Sequence, residues 1–315
     1  MEPSFLAPVL SVVVPTYRQP DLLRALLDSL AAQEVPAGGA EVLVVDDGSP
    51  EFGAAATPLT AGPLPVRWVR HPRNLGRARA RNSGIRHARG EIVVFLDGDM
   101  AVAPGFLRAH AEFHAQHPGE VAVGAIRFAA TIRSTALSRY VESRGAQAHA
   151  PGAAVPFKCF VTGNSSLSRP QLEQVGLFDE AFSQYGGEDL ELGYRLHRAG
   201  ATFRYLAGAL SFHGHLRPLH ETLELMETYG RCGLPHLVTR HPELGGLLRL
   251  EFLRRRGLRA RLLRLALASA PYGATRTLAR ALAWAPLPAL LYSYLWWSSR
   301  TRGYLAATAP PGAVP

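Results

Sequence analysis

The strongest constraint on the fold is a repeated unit in which a largely apolar run of β-branched residues stops abruptly at polar ones. Residues 10–14 form such a run before Pro15, and residues 41–45 form another before Asp46 and Asp47. Apolar runs of this length are typical of strands buried on both faces of a parallel sheet. The segment between them predicts a helix, because leucines recur along one helical face at Leu22, Leu23, Leu26, Leu27 and Leu30.

The same alternation continues towards the middle of the chain. Residues 66–69 predict a short strand, residues 74–87 a helix, and residues 92–96 a further strand that ends at Asp97. The predicted fold class is therefore α/β, with an open, doubly wound and mostly parallel sheet. Ligands bind beyond the carboxyl ends of the strands in such sheets, so the polar residues that follow each run are expected to line one crevice.

Composition narrows the function classes. The net charge is +9, yet the chain has no RNA-recognition or helix-turn-helix pattern, so no nucleic-acid partner is expected. Met1–Pro8 lacks the basic region of an export signal and residues 9–14 are too short for its apolar core, which indicates a cytoplasmic protein. The two cysteines, Cys159 and Cys232, are too few for a disulfide framework and are expected to be buried thiols.

Two short motifs are candidates for metal binding, and each has a structural alternative. Asp97-Gly98-Asp99 follows a buried strand, where a tight turn could aim a carboxylate at a metal that bridges two phosphates, but an Asp-Gly pair is also typical of a plain turn. In Phe212-His213-Gly214-His215, one histidine, with His213 preferred, supplies a third ligand, or both histidines are structural.

A third motif, Gly186-Gly187-Glu188-Asp189, precedes a helical pattern. Both acids favour a helix N-terminus through the helix dipole, which is the structural interpretation. The catalytic interpretation is that one carboxylate is a general base for a hydroxyl nucleophile while its neighbour binds the acceptor. The two glycines would then let substrate approach the backbone.

Four segments in the first third of the chain, taken together, resemble the family 2 glycosyltransferases of the GT-A fold in order and spacing. They are residues 12–17 (VVVPTY), 44–49 (VVDDGS), 74–82 (NLGRARARN) and 95–99 (FLDGD). The combination is far more specific than any single motif.

Three later segments are similar to the acceptor half of chondroitin-polymerase-type enzymes and β-1,4-galactosyltransferases. They are residues 162–164 (TGN), 175–180 (VGLFDE) and 187–189 (GED). The resemblance covers roughly residues 9–216. It implies a GT-A catalytic domain over residues 1–218, with a nucleotide-sugar-binding half (1–103) and an acceptor half (104–218), before a helical, arginine-rich and apolar extension (219–315).

The resemblance implies an inverting, metal-dependent glycosyltransferase. Such an enzyme moves a hexosyl or N-acetylhexosaminyl group from a nucleotide-diphosphate sugar, expected to be a UDP-sugar, to an acceptor hydroxyl. Asp189 matches the catalytic base, and Asp99 the direct ligand of Mn²⁺ or Mg²⁺, with His213 or His215 as a late ligand. The implied donor-binding residues are Pro15, Thr16, Tyr17, Asp46, Asp47, Asn74, Gly76, Arg81, Asp97, Gly98 and Asp99.

The acceptor side departs from the family pattern at one place. Where the galactosyltransferase-like half usually carries a tryptophan before its glycines, this chain has Ser183-Gln184-Tyr185, so a tyrosine would stack on the sugar instead. The donor sugar and the acceptor are therefore open. The implied acceptor-binding residues are Gly163, Asn164, Tyr185, Gly187 and Glu188.

Two other functions fit parts of the sequence. A sugar nucleotidyltransferase also uses a doubly wound sheet and a carboxylate-held metal, but Pro15-Thr16-Tyr17 is not its glycine-rich, basic signature. A non-catalytic nucleotide- or glycan-binding module would leave the acids structural, and the presence of both donor-type and acceptor-type motifs argues against it.

The C-terminal extension has two interpretations. Arginines between residues 254 and 264 precede an apolar stretch over residues 281–297, in which Pro286 and Pro288 argue against a membrane-spanning helix. The segment would either lie on an anionic membrane surface, near a glycan or lipid-linked acceptor at the inner face, or pack on the catalytic domain. Interfacial anchors in the first case would be Trp284, Tyr292, Tyr294, Trp296 and Trp297.

Overall fold

Contacts divide the chain into two compact units. The computed structural model describes residues 9–51, 60–253, 255–281 and 288–309, so Met1–Pro8 and Trp284 lie outside the described residues. The first unit comprises Met1–Ile132, Glu142–Ser183 and Asp189–Leu216, and the second comprises Arg133–Val141, Gln184–Glu188 and Arg217–Pro315. The division at residue 218 inferred from the sequence stays a prediction, and the second unit includes two short segments from the predicted acceptor half.

The first unit is built on one sheet to which all nine strands of the described residues belong. The strands are β1 (Leu10–Thr16), β2 (Ala40–Asp46), β3 (Val66–Arg70), β4 (Ile92–Leu96), β5 (Met100–Val102), β6 (Val121–Phe128), β7 (Ala154–Val155), β8 (Asn164–Ser168) and β9 (Phe203–His213). Their order is β3-β2-β1-β4-β8-β6-β9-β5, with β7 paired to β9. The mixed α/β architecture with a central sheet, expected from the sequence, is confirmed.

Helices occur in both units. They are α1 (Pro20–Ala31), α2 (Arg77–His87), α3 (Phe106–Gln116), α4 (Ala136–Glu142), α5 (Arg169–Val175), α6 (Glu188–Arg198), α7 (Leu219–Thr228), α8 (Leu234–Arg240), α9 (Leu244–Leu247), α10 (Leu258–Ala266), α11 (Ser269–Ala281) and α12 (Ala289–Thr308). Among the residues described, no helix has the length and apolar character needed to cross a membrane.

The half of the sheet from β3 to β4 is parallel throughout, as the valine runs predicted. Alternate residues of β1 face opposite layers, because side chains alternate along a strand. Val12 and Val14 pack in the cluster of α1 leucines, whereas Val13 packs in the cluster that contains Ala78 and Ile85 of α2. A Cβ at Gly84 would lie 2.4 Å from Val13 Cγ1, so this glycine lets α2 approach β1 closely.

The other half of the sheet mixes directions. β8 is antiparallel to β4 and β6, and β9 is parallel to β6 but antiparallel to β5 and β7. β9 is the longest strand of the described residues, and its pairing with β6 passes a register shift at Gly124 and Ala125. The Gly/Ala-rich residues 145–154 contain a 3₁₀ helix at Gly145–Ala148, in which Ala146 is buried.

In the second unit, two glycines allow close backbone contacts between helices. A Cβ at Gly230 would lie 1.9 Å from the carbonyl oxygen of Arg300, and one at Gly303 would lie 2.1 Å from that of Glu227. α12 therefore contacts the end of α7 and the π-helical turn Tyr229–Gly233 directly through its backbone. Of the two thiols expected to be buried, Cys159 is buried but Cys232 is exposed.

A buried pair of histidines on α3 lies beneath the sheet. His110 Nε2 is 3.2 Å from Asn164 Oδ1, and His110 Nδ1 is 2.8 Å from Ser166 Oγ, which is also 2.7 Å from His114 Nε2. One arrangement of protons satisfies all three contacts. His110 donates through Nε2, Ser166 donates to His110 Nδ1, and His114 donates through Nε2 to Ser166 Oγ. Both rings are then neutral, and a further proton on His110 Nδ1 would oppose the serine hydroxyl.

Burial sets the titration of this pair. It lowers the pKa of His110 to about 3, with the charge of His114 acting in the same direction and the hydrogen bond to Asn164 opposing it. Burial also lowers the pKa of His114 to about 4. In the unfolded chain both rings take up protons near pH 6.5, so the folded state binds fewer protons than the unfolded state below that pH.

We therefore expect stability to fall on acidification. The two neutral histidines make their full contribution to stability above about pH 6.5. Between pH 7.5 and pH 5, each histidine should lower the free energy of unfolding by about 2 kcal/mol. Denaturant titrations at both pH values measure this loss. The His110→Gln/His114→Gln variant should lose clearly less than the parent over the same interval, and the exposed control His149→Gln should match the parent. Equal losses in the parent and the double variant would contradict the assignment.

Candidate active site

Polar residues meet at the carboxyl ends of the parallel strands. Thr16 ends β1 and lies in register with Asp46, which ends β2, and the backbone N–H of Asp47 donates to Thr16 O at 2.9 Å. The turn after β4 lies against the same strand end, since a Cβ at Gly98 would be 3.0 Å from Pro15 O. The structure thus brings the predicted donor-side residues of three strands together.

Asp47 organises the loop before α2. Its Oδ1 accepts from the backbone N–H of Leu75 and its Oδ2 from that of Gly76, each at 2.9 Å. His71 Nδ1 lies 2.7 Å from Asp47 Oδ1 and its Nε2 lies 2.9 Å from Ser83 Oγ. These contacts occupy the carboxylate, so its evident role in this geometry is to hold the loop that includes the exposed Asn74.

Asp46 is also held from within the protein. Its Oδ1 accepts from the backbone N–H of Ser49 at 2.9 Å, and its Oδ2 lies 3.3 Å from Arg70 Nε. The neighbouring strand end offers more to a ligand. Thr16 Oγ1 is buried and has no hydrogen-bond partner among the described residues, and the ring of Tyr17 is exposed. A polar atom buried in this way is expected to have a partner, which a bound nucleotide would supply.

A buried arginine on α2 joins the two predicted halves of the site. Arg81 Nη2 donates to Asp97 Oδ1 at 2.9 Å, and Arg81 Nη1 lies 3.7 Å from Asp189 Oδ1. The guanidinium also lies over the ring of Phe178 at 5.7 Å. The Arg81 side chain is 3% exposed, whereas those of Asp97 and Asp189 are 31% and 26% exposed. One fixed cation therefore links a donor-side carboxylate to the predicted base, and both carboxylates remain open to solvent.

The charge state of Asp97 follows from these neighbours. Burial acts to raise its pKa, but the charges of Arg81, Arg77 and His213 and the hydrogen bond from Arg81 outweigh it and hold the pKa below its ordinary value. Asp97 is therefore a carboxylate at neutral pH.

Asp189 is oriented by a second residue. Thr162 donates through its backbone N–H to Asp189 Oδ2 at 3.1 Å and through its hydroxyl to Asp189 Oδ1 at 2.9 Å. The following Gly163 leaves room beside Asp97, because a Cβ there would lie 3.5 Å from Asp97 Oδ2. Each carboxylate oxygen can accept more than one hydrogen bond, so Asp189 keeps capacity to accept a proton.

Asp99 and His215 form the pair best suited to a divalent cation. Asp99 is nearly buried, and its Oδ2 lies 3.7 Å from His215 Nδ1, a buried atom with no hydrogen-bond partner in the described part of the chain. Carboxylate oxygen and imidazole nitrogen both bind Mn²⁺, and substrate phosphates usually complete such sites. Across the described ranges, three or more His, Cys, Asp or Glu side chains do not converge on one position.

The other predicted ligand, His213, lies differently. Its backbone pairs with Met100, and its ring lies 5.8 Å from that of Phe128 and contributes to the low pKa of Asp97. The geometry therefore favours His215 as the partner of Asp99, in place of His213, which the sequence favoured.

Asn164 is the predicted acceptor residue that this geometry favours least. It is fully buried, and its amide nitrogen donates to the carbonyl oxygens of Ala125 and Ala209 and to Ser211 Oγ. Its side chain therefore connects strands of the sheet beside the histidine pair and offers nothing to an acceptor.

The remaining predicted acceptor residues belong to the second unit. Gly186 and Gly187 have φ of +92° and +107°, a conformation that favours glycine. A Cβ at Gly186 would lie 2.8 Å from the ring of Tyr229. Burial raises the pKa of Tyr229 to about 12, the charge of Arg300 opposes this, and those of Glu188 and Tyr185 add to it. The glycine loop and Glu188 are thus packed around one buried tyrosine.

Sequence reasoning missed two roles. Arg81 was expected at the donor, not as the link between Asp97 and Asp189, and Thr162 was not among the expected site residues. The signal for Thr162 was its position beside Gly163 in the TGN segment. The link through Arg81 had no such signal, because it joins residues far apart in the sequence.

Known proteins resemble this chain in two regions. Residues 11–145 match the family described as glycosyl transferase family 2, and residues 143–220 match the one described as the N-terminal domain of galactosyltransferase. The uncharacterized glycosyltransferase YfnE of Bacillus subtilis (strain 168) is 28% identical over 253 residues, 64% of each chain. Chondroitin synthase of Escherichia coli is 29% identical over 237 residues, 65% of this chain and 34% of that protein.

The chain spans between 24% and 64% of the length of these and other curated relatives. Among solved structures, the mannosyltransferase PcManGT from Pyrobaculum calidifontis, in complex with GDP-Man and Mn²⁺, matches with a TM-score of 0.54 and 20% identity, over 93% of this chain and 86% of that one. The fold is thus the GT-A fold of glycosyltransferases.

Loss of the linking guanidinium should destabilise the first unit. We expect Arg81→Gln to lower the free energy of unfolding by about 2–4 kcal/mol, because it leaves two carboxylates facing each other without their shared cation. The matched control is Arg79→Gln on the same helix, whose side chain is 47% exposed and pairs with Glu180. Arg79→Gln should lower the free energy of unfolding by no more than about 1 kcal/mol. Equal losses in the two variants, measured by denaturant titration at pH 7.5, would contradict the role of Arg81.

Proposed function

Residues 11–145 match glycosyl transferase family 2, and from that premise we propose that the chain transfers a sugar from a nucleotide-diphosphate donor to an acceptor hydroxyl. The observation that carries the proposal is the pair of carboxylates on either side of Arg81. Asp97 follows the donor-side strand β4, and Asp189 lies at the start of α6, where the family resemblance implies a base. A single site with one acid from each side suits a reaction between two bound substrates.

A divalent cation, Mn²⁺ or Mg²⁺, would be held by Asp99 and His215. The buried, unpartnered Nδ1 of His215 beside the Asp99 carboxylate supports this assignment. When bound, such a cation neutralises the charge that develops on the departing diphosphate.

The proposed step is a direct displacement. Asp189 accepts the proton of the acceptor hydroxyl while the acceptor oxygen bonds to the anomeric carbon, and the bond from that carbon to the diphosphate oxygen breaks with its electron pair. Attack opposite the leaving group inverts the configuration. Thr162 fixes the orientation of Asp189 through two hydrogen bonds, and Arg81 Nη1 lies 3.7 Å from Asp189 Oδ1.

The donor is proposed to be a UDP-sugar. The exposed ring of Tyr17 offers a stacking surface for the base, and the buried Thr16 Oγ1 offers a hydrogen bond. The mannosyltransferase of Pyrobaculum calidifontis is in complex with GDP-Man, so a donor screen includes both nucleobases. Steady-state turnover of a panel of UDP- and GDP-sugars, with and without Mn²⁺, tests this proposal.

On the acceptor side we propose a glycan or a lipid-linked sugar. Tyr185 and Glu188 come from the segment that directly precedes Asp189, and they would bind the sugar by stacking and through its hydroxyls. A lipid-linked acceptor would bring a cytoplasmic enzyme to the inner face of the membrane as a peripheral protein.

The two rival functions are less well supported. A nucleotidyltransferase would release pyrophosphate from a nucleoside triphosphate, whereas the transferase releases a nucleoside diphosphate. A binding module would release neither. The donor screen therefore separates all three by the product released when it also includes UTP and GTP, each with a sugar 1-phosphate.

The base assignment predicts a selective loss in Asp189→Asn. An amide accepts no proton at neutral pH, so we expect transfer to fall by about 10²–10⁴-fold while donor affinity changes less than threefold, by analogy with other general bases. Turnover is measured by nucleoside diphosphate release and donor affinity by calorimetry. Near-parental turnover in a folded Asp189→Asn protein would reject the assignment.

The metal assignment makes a second prediction. Asp99→Ala removes one of two protein ligands, and we expect the affinity for UDP in the presence of Mn²⁺ to fall at least tenfold, with little change in its absence. The exposed acid Asp28 on α1 supplies the control, Asp28→Ala. If calorimetric titrations give the same affinity for both variants and the parent, Asp99 is a turn residue.

A further inference from the structure

α10 presents an apolar stripe to solvent. The leucine stripe consists of Leu258, Leu262 and Leu265, whose exposed fractions are 74%, 57% and 65%. At 100° per residue, their positions i, i+4 and i+7 lie within about 60° of one another on one side of the helix. Three leucines exposed together on one helix differ from the isolated apolar residues of an ordinary surface.

The opposite side of α10 is already packed. Ala260 and Leu267 are buried in a cluster with Phe252, and Leu263 packs against that cluster. The guanidinium of Arg264 donates to the carbonyl oxygens of Phe252, Leu253 and Arg255, which ties the helix to the preceding segment. α10 is therefore held in place through its inner face, and the leucine stripe has no part in that packing.

Arginines flank the stripe. Arg259 and Arg261 are exposed and lie on either side of the leucines at helical spacing, and Arg256 is exposed just before the helix. Residues 252–315 contain ten arginines, no lysine and no acidic residue, whereas residues 1–251 hold the other 24 of 34 basic residues and all 25 acidic residues. The net positive charge of the chain thus comes entirely from its last 64 residues, which include α10.

We propose that the leucine stripe and its flanking arginines bind an anionic lipid surface, with α10 lying in the plane of the interface. Leucines that project together from a positively charged helix face suit the boundary between acyl chains and anionic headgroups. Nucleic acid fits less well, because a basic surface whose centre is apolar gives phosphates nothing to contact there.

The leucine stripe is a different membrane-contacting surface from the aromatic residues that the sequence indicated. Tyr292 is buried, its ring lies 5.2 Å from that of Tyr140 and edge-on to that of Trp296, and Trp297 lies against Phe252. These aromatic residues are part of the packing of the second unit, so the leucine stripe replaces them as the membrane-contacting element. The anionic lipid surface is the membrane partner in the proposed function, and its assignment to α10 rests on that proposed function. Vesicle binding needs neither donor nor acceptor, so its failure is distinguishable from a failure of sugar transfer.

Sedimentation of the full chain with vesicles tests the inference. We expect the protein to pellet with phosphatidylglycerol/phosphatidylcholine vesicles at low salt, and to stay in the supernatant with phosphatidylcholine alone or at high salt. Leu258→Ser/Leu262→Ser/Leu265→Ser should weaken the binding at least tenfold. The matched control is Leu278→Ser/Leu290→Ser, two exposed leucines of α11 and α12, which should bind within threefold of the parent.

Circular dichroism and thermal melting of both variants establish that they are folded, which is expected because every substituted leucine is exposed. Parental binding by the folded triple variant would overturn the proposal, as would a parent that fails to pellet with anionic vesicles at low salt. A third outcome would also overturn the proposal. If the parent is dimeric in ultracentrifugation and does not bind vesicles, and the triple variant is monomeric, a second copy of the chain covers the leucine stripe.

Discussion

The candidate site depends on one buried guanidinium placed between two carboxylates. Arg81 contacts Asp97 at the end of β4 and faces Asp189 at the start of α6. Without the guanidinium, each carboxylate would face a like charge in a partly dry crevice. Its position is secured by burial and by the ring of Phe178. Asn82 supports the same segment, because its amide donates to Phe178 O and accepts from Phe178 N.

The remaining parts of the site are attached to this link. Thr162 orients Asp189, Asp47 holds the loop that leads into α2, and Gly163 leaves space beside Asp97. The second unit carries a positively charged surface on α10. The two units therefore carry different tasks, with the proposed chemistry in the first and the proposed membrane contact in the second.

Local sequence was enough to predict the parallel strands, because continuous valine runs bury both faces, and α1, because its leucines recur at helical spacing. The motifs also identified Asp97, Asp99 and Asp189 as neighbours of a strand end or helix start. Local sequence could not show what each polar side chain contacts. The burial of Asn164 and the choice of His215 over His213 depend on how β8 and β9 pair, which is set by contacts distant in the sequence. In the extension, composition indicated basic helices, but only packing decides whether leucines or aromatic residues face solvent.

The most direct test of the account is a double-mutant cycle between Arg81 and Asp189 on kcat/KM for nucleotide-sugar turnover. If Arg81 acts through the carboxylate of Asp189, Arg81→Lys should slow the parent enzyme at least tenfold but slow the Asp189→Asn enzyme less than threefold. The two substitutions would then show a coupling free energy above about 0.7 kcal/mol, the smallest value that these limits allow. Equal factors in both backgrounds, with all four proteins folded, would mean that the two residues act independently and would contradict the account.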